Sequence, residues 1–384
     1  MDQHTAGKHG EYTMAQYTVA GINFDHFHMG DNLMTVRDNP DTEIVAICDE
    51  NTEKSTLGLH DTAEEFDIPD DRVYRDHEAC IEETDPDIVI MCPSPADHVE
   101  WVEKVAGYGV NVILEKGTAL TVDGYDRMID AMEEGGGTFL TNWPLAWYRS
   151  HRTTKRLIDE GTVGEVLEID YYDGNEGSGR FENVEYTDAG EMHFAGGSQK
   201  EVAAAAETWW HQADKGGGSL VDYLGYGTNI ATWFRDGELP VEVTTRTNTP
   251  EWSQVDIQSN TVAKYEDKGL STFETRWGTF TDPWVHQPQP KCGFVVKGSE
   301  GTISSYDYEE TVFVQNEENP AGYEVEVDDL EEPVRNQVQY LVHCLENDRD
   351  VEFPPLSPYH CRDSNRILLA ARESAERDQP VQLE

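Results

Sequence analysis

The sequence predicts an α/β protein: a doubly wound parallel sheet, followed by an α+β domain with a large, mostly antiparallel, open sheet. Three observations carry this. Short apolar runs alternate with amphipathic stretches up to residue 146, as in parallel strands covered by helices on both faces. Beyond that point strand-like runs follow one another directly, as in an antiparallel sheet. The 384 residues exceed one ordinary core, so two domains are expected.

Residues 1–15 are polar, lack an apolar signal core and are expected to form a disordered tail. The first domain is expected over 16–146. Its buried strands are YTVAG (17–21), EIVAICD (43–49), DIVIMCP (87–93), VNVILEK (110–116) and GTFLTNW (137–143), with helices over 96–109 and 121–136. A parallel sheet of this kind places its ligand crevice at the carboxyl ends of the strands. The second domain, 147–335, opens with a helix (SHRTTKRLIDEG) and a strand (GEVLEIDYYDG). A Gly-rich insertion over 173–208 comes next, then GGGSLVDYLGYGTNIATWF, a turn entering a helix. Strands are expected at 241–249, 259–266, 270–280, 291–297 and 300–305, and two closing helices within 336–384.

Composition narrows the function. With 28 Lys plus Arg against 76 Asp plus Glu, the formal charge is −48. The 37% hydrophobic content argues against disorder. A folded chain this acidic repels itself in dilute salt, so adaptation to a salty cytosol is expected, where the Debye length shrinks to about 3 Å at 1 M. Phosphate-backbone binding is excluded as a main role. No apolar stretch suffices for a membrane span. The six cysteines, Cys48, Cys80, Cys92, Cys292, Cys344 and Cys361, form no CxxC and read as buried thiols of a reducing compartment. A cytoplasmic location is expected.

A dinucleotide loop requires a strand, a glycine turn and a helix N-terminus. Here the strand enters GINFDH with Gly21 in the first glycine position, Asn23 in the second and His26 in the third, Phe24 lying between. Asn tolerates the left-handed conformation. The bulk of His26 is expected to push the helix from the strand or to stand against a cofactor. Asp49 ends the second strand, where an acid bonds ribose hydroxyls and favours NAD over NADP.

The stretch from DIVIMCPSPADH to VILEKGTAL resembles the core of the glucose–fructose oxidoreductase/inositol dehydrogenase (Gfo/Idh/MocA) family. The matching residues are Pro93, Pro95, His98 and Glu115-Lys116-Gly117. RLIDEGTVGEV (156–166) and GGGSLVDYLGYG (216–227) resemble later segments of that family, so the likeness runs over about 17–305. It implies a Rossmann domain and an NAD(P)-dependent oxidoreductase of a sugar or polyol, NAD preferred. Gly21, Asn23, Phe24, Asp49, Pro93, His98, Glu115 and Lys116 would bind cofactor. Lys116, Asp222 and Tyr226 would carry proton transfer, the lysine with a pKa lowered by desolvation and the tyrosine with one lowered by the lysine cation. The resemblance also implies a homodimer or homotetramer through the second sheet. Departures are Gly117 in place of a proline that rigidifies the turn, the altered glycine loop, and the insertion.

Aromatic residues gather near the expected crevice at Trp143, Trp147 and Tyr148 and at Trp209-Trp210-His211; of these Trp143, Trp147, Tyr148 and His211 are read as substrate-binding, since sugar C–H faces stack on aromatic rings, with core packing the alternative. His26, His28, His193 and His211 with Glu191 form no diagnostic spacing, and no metal is expected. Two other functions stay open: redox-neutral elimination or hydrolysis through transient oxidation with retained NAD, and non-enzymatic NAD or sugar binding. The charge yields a first prediction. The melting temperature should fall by several degrees when potassium chloride is lowered from about 1 M to about 0.1 M, as read by thermal scanning.

Overall fold

A computed structural model describes residues 16–52, 55, 57–117, 119–176, 208–266 and 268–383, with the backbone alone at 184–186 and 192–194. Its first sheet contains β1 (Tyr17–Ile22), β2 (Thr42–Cys48), β3 (Val73–Tyr74), β4 (Ile88–Met91), β5 (Asn111–Glu115) and β6 (Phe139–Asn142). The order is β3-β2-β1-β4-β5-β6, every pairing parallel. Every residue of β4 is buried, as expected of a strand covered on both faces. The covering helices are α1 (His28–Arg37), α2 (Leu59–Glu65), α3 (His77–Thr84), α4 (His98–Ala106) and α5 (Gly124–Gly135). The α3 N-terminus is capped by Asp76, whose side chain accepts a 3.0 Å bond from the Ala79 amide. The strand order reverses between β1 and β4, so a crevice opens beyond their carboxyl ends.

The nucleotide-type turn keeps its shape by two substitutions of means. A Cβ on Gly21 would lie 3.1 Å from Met29 Sδ, so glycine is what lets β1 approach α1. Asn23 has φ 68°, supplying the left-handed step, and its Oδ1 accepts a 2.9 Å bond from the Asp25 amide. His26 does not wedge the helix off the strand. Instead α1 begins only at His28, and the extra turn folds His26 inward to 2% exposure.

The second domain adds α6 (Arg149–Asp159), β7 (Val166–Asn175), α7 (Ser219–Phe234), β10 (Glu242–Asn248), β11 (Gln258–Tyr265), β12 (Gly269–Trp277), β13 (Gly293–Gly298) and β14 (Gly301–Tyr306). It continues with β15 (Thr311–Asn316), β16 (Tyr323–Glu326), α8 (Gln337–Glu346), α9 (Pro358–Arg377) and β17 (Val381–Gln382). Nine strands form one sheet, β16-β15-β14-β13-β7-β12-β11-β10-β17, in which β7 and β12 are the parallel pair. Strand β11 alternates buried inner with more exposed outer residues, the signature of a sheet packed on one face. Every residue of α7 is buried, because the helix lies between that sheet and α9. Helix α8 packs on α1, where Gln337 Nε2 donates to Asn32 Oδ1 at 2.7 Å and Thr35 Oγ1 at 2.9 Å.

Strands β15, β16 and β17 were not anticipated from the sequence. Of the insertion, the backbone shows β8 (Val184–Tyr186) paired antiparallel with β9 (Met192–Phe194); most of it, and the tail 1–15, lie outside the described residues. All six cysteines are free and buried. Among the described residues no helix is long and apolar enough to cross a membrane. The left-handed step makes a prediction. Asn23→Ala should destabilise by about 1–2 kcal/mol, and Asn23→Gly by less, in urea unfolding.

Candidate active site

Lys116 follows the last residue of β5, and Asp222 sits in the first turn of α7, so the two domains meet here. Lys116 Nζ lies 2.8 Å from Asp222 Oδ1, with both side chains almost fully buried. Asp222 Oδ2 accepts a 3.1 Å bond from Trp277 Nε1, so both carboxylate oxygens are engaged. One turn along α7, the ring of Tyr226 lies under Lys116, its centroid 5.0 Å from Nζ. The three predicted proton-transfer residues are therefore together. One detail is reversed: the Tyr226 phenol is held well above its ordinary range, not lowered. Burial is the main cause, and the charges of Glu115 and Asp222 add to it.

These groups face a cavity of about 430 Å³ between the domains, also lined by Phe27, His28, Tyr148, Trp210 and Tyr308. Its walls carry Asp31, Asp173 and Asp307. Burial, reinforced by Glu115, pushes the Asp31 carboxyl up to about 6, with His28 opposing. Burial and Asp307 hold Asp173 well above the carboxylate range. Asp307 Oδ1 lies 2.8 Å from His151 Nε2, and the hydroxyls of Tyr148 and Tyr308 are 2.5 Å apart. Of these, His28, Tyr148 and Trp210 were singled out from sequence; the others were not, since they come from elements far apart in the chain.

Glu115 is fully buried, receiving His28 Nδ1 at 2.6 Å and Asn32 Nδ2 at 3.1 Å. Burial, with His28 and Lys116 nearby, holds His26 well below its ordinary pKa and therefore neutral. Gly117 has φ 133°, a conformation proline's ring forbids, and a Cβ there would stand 3.0 Å from His98 Cε1. His98 is buried, its Nε2 3.1 Å from the Pro93 carbonyl.

The other expected ligands divide. Of the four aromatic residues assigned to substrate, Tyr148 lines the cavity. Trp143 does not; it is buried in the core, edge-on to Tyr226 with centroids 5.4 Å apart. Trp147 packs on Phe353 and donates Nε1 to Asn142 Oδ1 at 3.1 Å. His211 is buried beside Trp277, and burial lowers its pKa to about 4. Its neighbour Trp210 reaches the cavity instead. The side chain of His193, and Glu191, lie outside the described residues.

The nucleotide-binding elements fit a dinucleotide in three respects: the close approach at Gly21, the left-handed Asn23, and the acid at the end of β2. Asp49 is buried, bonded to the Asn51 amide at 3.1 Å and to the Ser55 hydroxyl. Phe24 is buried behind the turn. The turn also carries an acid, Asp25, whose carboxyl burial pushes up to about 6, near the range where it becomes neutral. Trp209 Nε1 donates to the Asp25 carbonyl at 3.0 Å, drawing the second domain over the turn.

Comparison with known proteins agrees with this architecture. Residues 16–142 match the Gfo/Idh/MocA oxidoreductase family model with an NAD-binding Rossmann fold, and 151–304 match the Gfo/Idh/MocA C-terminal domain. The chain is 28% identical over 151 residues to 2,7-anhydro-N-acetylneuraminate hydratase of Mediterraneibacter gnavus, covering 39% of this chain and 37% of that one. It is 29% identical over 138 residues to D-apiose dehydrogenase of Paraburkholderia graminis, covering 36% and 35%. The matched stretches thus span little more than a third of either relative. The fold of aldose–aldose oxidoreductase from Caulobacter crescentus is similar, with TM-score 0.73 and 18% identity over 96% of this chain and 100% of that one.

The buried pair gives a stability prediction. Lys116→Met should cost about 3–5 kcal/mol by stranding the Asp222 charge. Adding Asp222→Leu should recover part of that loss in denaturant titration.

Proposed function

We propose, for a chain that belongs to the Gfo/Idh/MocA oxidoreductase family, that it moves hydride between a sugar or polyol hydroxyl carbon and NAD. The observation that carries this reading is the buried Lys116–Asp222 pair at the interdomain cavity. NAD, when bound, supplies the hydride acceptor; Asn23, Asp49, Pro93, His98 and the turn around Gly21 would hold it. Lys116 passes its proton to Asp222 Oδ1 across the 2.8 Å bond and takes the substrate hydroxyl proton at Nζ. The Trp277 N–H keeps Asp222 turned toward Lys116. Tyr226, with its pKa raised, stays a phenol and donates a hydrogen bond to the carbonyl oxygen that forms. Aromatic walls at Tyr148, Trp210 and Tyr308 suit the C–H faces of a sugar, and Asp31, Asp173 and Asp307 suit its hydroxyls.

A second reading has its own support. The Trp209–Asp25 bond covers the nucleotide turn, which suits a cofactor retained through a redox-neutral elimination or hydration. The hydratase among the relatives agrees with it in kind. A homo-oligomer through the second sheet is also proposed, since Leu270 and Phe313 are exposed on that sheet. We propose a salty cytosol as its setting, on the charge of −48.

In molar salt, NADH absorbance with a panel of sugars and polyols should rise with the parent chain. With Lys116→Ala, kcat should fall by about 10²–10⁴. Substrate consumption without NADH accumulation, and NAD released only on unfolding, would select the second reading. Neither binding nor turnover would sink both.

A further inference from the structure

The rim of the cavity holds a group of side chains that proton transfer does not use. His26, His28 and Glu115 each place a ligand-type atom within 4.8 Å of the others. This arises from local structure. In a helix, residues two apart point to different sides, but α1 starts only at His28. The turn before it folds His26 back, leaving the two rings 4.2 Å apart and tilted by 44°. Glu115 arrives from the end of β5, its Oε2 held by Asn32 and its Oε1 2.6 Å from His28 Nδ1.

An ion pair between His28 and Glu115 explains two of the three groups. It does not involve the second imidazole, which packs among Phe27, Trp209 and Trp210. His26 is 2% exposed, and its Nδ1 accepts a 3.1 Å bond from the His28 amide. His26, His28 and Asp31 also line the cavity, so oxygen ligands have access from that side. Among the described residues the cavity walls carry Asp31, Asp173, Asp222 and Asp307 against one lysine, Lys116, which favours a further positive charge.

We propose that His26, His28 and Glu115 bind one divalent transition-metal ion, with water completing its shell. Two imidazoles and a carboxylate are a donor set suited to Zn²⁺, Co²⁺ or Mn²⁺. The ion replaces the proton shared by His28 and Glu115, which is released, and His26 Nδ1 gives up its contact with the His28 amide. The site stands beside Lys116, so an open coordination position faces the same cavity as the proposed substrate.

The test is metal uptake by the chelator-treated full chain, independent of turnover and so of the oxidoreductase reading. Zn²⁺ and Co²⁺ are titrated by calorimetry, and Co²⁺ also by visible absorption. One equivalent should bind, with imidazole-ligated Co²⁺ bands. His26→Ala and His28→Ala should each weaken binding by at least roughly 10-fold. His77→Ala, in the separate Glu50–Asp76–His77 cluster, should leave it unchanged. No uptake by the parent chain, or equal uptake by a folded His26→Ala/His28→Ala double variant, overturns the proposal. Should the variants not fold, the parent decides: Zn²⁺ must raise its melting temperature, and absence of any rise is equally fatal.

Discussion

The structure depends on one buried ion pair placed across a domain boundary. Lys116 belongs to the first sheet and Asp222 to the second domain, 106 residues away in sequence. Two charges removed from water gain their keep only when each meets the other at short range. That requirement ties the end of β5 to the start of α7 and leaves little freedom in how the domains face one another. Trp277 extends the constraint into the second sheet through its bond to Asp222. The chemistry proposed for Lys116 and Asp222 would therefore rest on atoms that also hold the architecture together.

Around that pair the cavity is unusually acidic, and its acids are managed by different means. Asp222 is paired with a cation. Asp307 is held by His151, and Asp173 accepts from the Tyr171 hydroxyl at 2.7 Å and the Gly174 amide at 2.7 Å. Asp31 is pushed toward neutrality by burial. On the proposed reading, such a wall suits hydroxyl-bearing ligands, which can both donate to and accept from it.

How much of this was legible in the sequence follows from the range of each interaction. The parallel strands were legible because burial on both faces writes a continuous apolar run, as in β4 and β5. The two residues of β3 and of β17 are too short to leave a pattern, and β15 and β16 lie past the last run recognised. Lys116, Asp222 and Tyr226 were pointed to by the family resemblance of the segments that carry them, and the structure brings the three together. The His28–Glu115 contact joins residues 87 apart and leaves no local trace. Aromatic residues misled for a related reason: a sequence gives a ring's position but not its direction. Trp143 turns into the core against α7, and Trp210, not His211, turns toward the cavity. At Gly117 the departure from proline has its reason in the backbone, since φ 133° is closed to proline.

The strand pairings also order the molecule in time. The first sheet is assembled mostly from neighbours in sequence, its one longer reach being β1 to β4, where Val19 pairs with Ile88. The centre of the second sheet is different: Thr272 on β12 joins Asp170 on β7 across 102 residues. Closing so long a loop is slow, and long-range strand pairing retards folding. During that interval the first domain already presents Lys116 and its aliphatic stem without Asp222 to meet it.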